Sequence, residues 1–138
     1  VVISAIVETA GQVLLVDDGL GGLTLPTARV GREGAQAALA ALIGGLGVQA
    51  QPGFIYAVYE DVARGHQHIS FLCPAATGRP QRGAYVELSA DGVADVTDPA
   101  MLVMLERLAE ETRVGNYGIY FGNQDQGRVE PIGERNKP

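Results

Sequence analysis

No charged residue occurs between Glu33 and Glu60. Within that interval, alanine and leucine propensity predicts a helix from Ala35 to Leu46, entered at Gly34 and ended by Gly44, Gly45 and Gly47. A helix that is apolar on every face has to be covered on every face. One side packs on a sheet. The other calls for an apolar pocket under a lid, a second subunit, or another part of the chain. An alanine-rich face also tolerates exposure, because alanine hides little apolar area.

The remainder of the chain alternates strands with turn signals. Val1 to Val7 and Gln12 to Val16 read as a hairpin around Glu8-Thr9-Ala10-Gly11, and Leu23 to Leu25 as a short strand closed by Pro26. After a Gln51-Pro52-Gly53 turn, Phe54 to Asp61 and Gln67 to Pro74 form strands around Ala63-Arg64-Gly65, and Tyr85 to Leu88 forms another. Thr97 or Asp98 is placed to cap a helix from Pro99 to about Thr112. Met101, Leu102, Leu105 and Leu108 line one face of it, Glu106, Arg107, Glu110 and Glu111 the other. Tyr117 to Phe121 and Arg128 to Ile132 read as a last hairpin, and Gly133 to Pro138 as a frayed polar tail.

A length of 138 residues suits one compact domain. The net charge of -6 argues against a nucleic-acid surface, which needs clustered Lys and Arg. No apolar run is long enough to span a bilayer, and the start of the chain lacks the basic region of a signal peptide. The single cysteine, Cys73, lies in an apolar run and reads as a small buried hydrophobe. A cytoplasmic protein is expected.

The segment GQVLLVDD followed by LTLPTARV, a loop, and a helix closing on Gly47-Val48 resembles the signature region of the Nudix hydrolases. The resemblance covers about residues 1–112 and implies an α/β fold, a Nudix-like α/β/α sandwich with a mixed β-sheet. Residues 113–132 would add a C-terminal β-hairpin to the same domain, capping the old active site or forming a dimer contact, with 133–138 as the tail. In that family the helix reads Arg-Glu-apolar-any-Glu-Glu-any-Gly-apolar, and its glutamates hold the divalent cations that activate water. Here the register reads Ala40, Ala41, Leu42, Ile43, Gly44, Gly45, Leu46, Gly47, Val48, so only the closing pair is kept. Thr27 and Ala28 replace a Gly-Gly pair that lets the loop backbone approach its ligands. Glu33 is the one carboxylate left in the segment, and a hard cation needs several oxygen ligands.

The resemblance therefore implies a catalytically degenerate Nudix protein with no metal and no cofactor, binding a small metabolite or a partner in the emptied cleft. A homodimer would form through the first helix or the C-terminal hairpin. Two alternatives stand beside this reading. One is a metal-independent enzyme doing acid–base chemistry on a small biosynthetic intermediate; the other is a residual hydrolase using Glu33 and unusual ligands.

For new chemistry the candidates are His68, Glu60 and His66. The histidines are the only two and share one strand face, and neutral imidazole suits general acid–base work or metal ligation. A His-Gln-His run beside Gly65 at a hairpin turn is more often solvated loop, and His68, deeper in the strand, is the better candidate of the two. Arg29, Arg32 and Glu33 are ligand-binding candidates around the degenerate loop, the arginines for a phosphate or carboxylate, or simply as solvated charges. Tyr56, placed on the strand face opposite Tyr59, joins Tyr117 and Tyr120 as residues that either orient a ligand or pack the core.

Overall fold

The structure is a computed structural model. It describes residues 1–51, 53–61, 65–114, 116–123 and 128–136, with side chains for 1–51, 53–60, 65 and 67–112. β1 (Val2–Thr9) and β2 (Gln12–Asp17) form the expected hairpin. Its turn residues Ala10 and Gly11 both have positive φ, 48° and 78°, which matches the turn twist to the strands. Then follow β3 (Leu23–Thr24), β4 (Thr27–Arg29), α1 (Ala35–Gly45), β5 (Phe54–Asp61), β6 (His66–Cys73), β7 (Ala84–Glu87), α2 (Pro99–Val114), β8 (Asn116–Asn123) and β9 (Arg128–Asn136).

The sheet order is β3-β2-β1-β6-β5-β8-β9, with β4 paired to β1 and β7 to β2. β1 with β6 and β5 with β8 run parallel and the other pairs antiparallel, so the sheet is mixed. Alternate residues of β1 enter opposite cores, as strand geometry requires. Ile3, Ala5 and Val7 pack with Leu39 and Ile43 of α1, while Ile6 packs with Met101, Leu105 and Leu108 of α2. The α/β/α sandwich expected from the sequence is the architecture found.

β4 was not legible as a strand. Pro26 has no N–H and ends β3, but its carbonyl accepts from Ala5 N (3.0 Å) and turns the chain onto β1. Of the two candidate caps for α2, Asp98 does the work: its Oδ1 accepts from Met101 N at 3.1 Å, while Thr97 donates its hydroxyl to Asp18 at 2.8 Å.

Of the outcomes weighed for the outer side of the first helix, the described residues show exposure and not cover by the C-terminal hairpin. The C-terminal hairpin does not cap the first helix: β8 pairs with β5, extends the central sheet and lies alongside α2. Its second strand runs to Asn136, so most of the stretch read as a tail is strand. The first helix is covered on one side only. Ala38, Leu39 and Ile43 are buried, whereas Gln36, Ala37, Ala40, Ala41, Gly44 and Gly45 are exposed. Alanine and glycine leave little apolar area on that face, which is why it survives in water.

Candidate functional site

Two places on the sheet combine burial with polar or open surface, and they lie on opposite faces. On the α2 side, Ser4 of β1, His68 and Ser70 of β6 and Tyr59 of β5 form a buried polar cluster. Strand register brings them together: Ser4 stands opposite Ser70, and Tyr59 opposite His68. His68 is 5% exposed, its Nε2 is hydrogen-bonded to the Ser4 hydroxyl, and its ring stacks on Tyr59 with centroids 4.9 Å apart. Burial holds the Tyr59 phenol above its ordinary value of 10, and the Asp98 carboxylate adds to the shift. The Ser70 hydroxyl works against it, though neither hydroxyl reaches a formed hydrogen bond.

This arrangement is built for rigidity. The unfolded phenol ionises near pH 10 while the buried one stays protonated, so the stability it contributes is complete below pH 10 and falls as pH rises further. Tyr59→Phe is therefore expected to flatten the alkaline decline of the melting temperature. At pH 7 the same variant should lie within about 1 kcal/mol of the parent, since it removes a hydroxyl without a formed partner. A parallel alkaline decline in both proteins would mean that the phenol is solvated.

The other sequence candidates do not converge on His68. Glu60 pairs with Gln67 and points to the face opposite Tyr59 and His68, so these two candidates stand on different sides of the sheet. Backbone register places His66 opposite Asp61, but both side chains lie outside the described residues. Among the described residues no group of three His, Cys, Asp or Glu side chains is placed to hold a metal ion. Tyr56 is fully buried and donates its hydroxyl to Glu111 at 2.6 Å. A β-bulge between Ile55 and Ala57 adds a residue to β5 and brings Tyr56 and Tyr59 into one core, where simple alternation places them on opposite faces. Arg29, Arg32 and Glu33 are exposed. Tyr117 and Tyr120 lie in β8, and their side chains are outside the described residues.

On the α1 side the surface is open. A cavity of about 460 Å³ runs along the helix, lined by Gln36, Leu39, Ala40, Ile43, Gly44, Val48, Gln49 and Ala50. Residues 48–50 are held there by paired backbone bonds between Gln49 and Thr77 (2.8 and 2.9 Å). Beside it, Ile55 is 39% exposed, and Phe71 and Ile69 are half-buried on the same sheet face. Sequence reasoning flagged the uncharged helix but missed Val48 to Ala50. The apolar character of Val48 and Ala50 was visible; the return of the segment onto α1 depends on the long-range Gln49–Thr77 pairing.

No family model matches the chain. The reductase component of a flavin-dependent trigonelline monooxygenase from Acinetobacter baylyi is 33% identical over 132 residues, 96% of this chain and 43% of that protein. A Rhizobium meliloti protein named "Probable flavin reductase" is 33% identical over 134 residues, again 96% of this chain and 42% of the relative. A solved oxidoreductase structure from Sinorhizobium meliloti 1021 is 30% identical with a TM-score of 0.69, covering 85% of this chain and 41% of that one. The chain thus spans less than half the length of these relatives. A Nudix hydrolase from Nitrosomonas europaea has a TM-score of 0.71 at 17% identity, over 88% of this chain and 76% of its own. A MutT Nudix hydrolase from Burkholderia pseudomallei has 0.58 at 20%, over 78% and 95%.

At such identities the Nudix likeness is one of fold alone. The assignment to the Nudix hydrolases, and the reading of a degenerate Nudix protein that binds a metabolite in an emptied cleft, are overturned. The sequence relatives that match nearly the whole chain carry flavin reductase names. Loss of the helix carboxylates was a sign of different kinship, not of a silenced hydrolase. The α1 cavity does not fit the phosphate of a flavin nucleotide: it offers apolar walls and two amides, and no cation lines it.

Proposed function

We propose that this chain works in a flavin reductase, as a Nudix-like folded unit of the protein that carries out the reduction. The observation that carries this is one-third identity over 96% of the chain to two proteins named for flavin reduction. The reaction takes a hydride from a two-electron donor and a proton from solvent, and converts oxidised flavin to its two-electron-reduced form. The small molecule handled is accordingly a flavin. The residues here supply a rigid sandwich and an open apolar face, and no step of the reaction is assigned to them.

The absence of carboxylates from α1 supports this reading over hydrolysis, since a diphosphate hydrolase needs several oxygen ligands for its cation. Residues 1–112 and the hairpin act as one unit, located in the cytoplasm and paired with a second copy. The test is a fluorescence titration of flavin with the protein isolated from its host, run beside a magnesium-dependent phosphate-release assay on nucleoside diphosphate derivatives. Saturable quenching of flavin with no phosphate release is expected. Phosphate release without flavin binding contradicts the proposal.

A further inference from the structure

We infer that the α1 side of β5 and β6 is the seam on which the remainder of a longer protein packs, the part that lies beyond this unit in its flavin reductase relatives. α1 lies over β1 and β4 and covers only part of its side of the sheet. Beyond it, strand register sets three cross-strand pairs in a row: Ile55 with Phe71, Val58 with Ile69, and Glu60 with Gln67. Ile55 is 39% exposed, Val58, Ile69, Phe71 and Glu60 are half-buried, and Gln67 is exposed.

The pattern of polarity is the reverse of a solvated face. On β6 the apolar Ile69 and Phe71 turn to the open side, while the polar His68 and Ser70 turn to the buried one. On β5 the run from Phe54 to Tyr59 shows no polar alternation, as in strands covered on both faces. Both strands lie inside the sheet, between β1 and β8.

Length selects the cover. The two flavin reductase relatives match 96% of this chain with less than half of their own length, and so does the solved oxidoreductase over 85% of it. More than half of each relative is therefore available to lie against this unit. A tether holds two such parts at high effective concentration, so a patch of modest size is enough. Contacts between domains of one chain are also more polar than obligate subunit interfaces, and this strip grades from Ile55 and Phe71 to Glu60 and Gln67.

The inference rests on the kinship stated above and is read on the full protein produced in its host. A benzophenone amino acid replaces Ile55 and, as a control, Leu20, which is 89% exposed between β2 and β3. After irradiation, denaturing electrophoresis and peptide mapping locate the cross-link. The polypeptide is expected to exceed the 14.4 kDa of this chain, and position 55 to join a peptide outside these 138 residues in the same molecule, leaving the denatured mass unchanged. The control should give no such product. A polypeptide of 14.4 kDa overturns the inference, and so does a doubled mass, which marks a second copy, or a position 55 that cross-links no more than position 20. Flavin reduction by the unsubstituted protein is scored separately. Failure of the seam leaves that reading standing, and loss of the flavin reading leaves an intact cross-link unexplained by it but unrefuted.

Discussion

Replacing Gly53 with alanine is expected to lower the stability of the fold by about 3 kcal/mol or more. A Cβ at that position would sit 1.5 Å from the Leu72 carbonyl oxygen and 2.7 Å from its carbon. Both are backbone atoms of β6, and Leu72 is the residue that pairs with Phe54 at the start of β5. Relief requires the two strands to separate where their ladder begins. The neighbouring Pro74 ring, 3.1 Å away, blocks the chain from sliding past. Urea unfolding checks this. An alanine variant within 1 kcal/mol of the parent would mean that β5 and β6 approach less closely than described here.

His68→Ala should be nearly as damaging, at roughly 3 kcal/mol. The truncation leaves a void beside the Tyr59 ring and strips the buried Ser4 hydroxyl of its partner. Both residues are fully inaccessible, so water cannot easily make good the loss. His68→Gln keeps a polar group near Ser4 and should recover part of the difference. Stability and flavin reduction per folded molecule, measured together, separate the two roles open to this residue. A large fall in stability with intact turnover marks it as a packing residue. A stable variant without turnover would restore it as an acid–base catalyst.

Much of the fold was legible because local signals and tertiary pairing agree. The β1–β2 hairpin, the β5–β6 hairpin and both helices begin and end within a few residues of their expected limits. What was lost depends on contacts distant in sequence. β4 is three residues long and becomes a strand only because β1 is already there to receive it. The bulge at Tyr56 inverts a simple alternation that no residue type announces. The site was less readable. His68 was singled out for its chemistry, but its surroundings are set by Ser4, 64 positions away.

The kinship was misread for a physical reason as well. Strand pair, Leu-Pro turn and helix are requirements of the sandwich, and chains of different function can share them. The carboxylates that would have declared hydrolysis were the informative residues, and their absence pointed away from the hydrolases.

Anaerobic reduction of free flavin tests the central claim most directly. The protein isolated from its host is mixed with oxidised flavin and a reduced nicotinamide donor, and the visible flavin absorbance is followed. The account predicts bleaching that is catalytic in protein, with one donor oxidised per flavin reduced, and no requirement for magnesium. Flavin that stays oxidised with every two-electron donor supplied would contradict it.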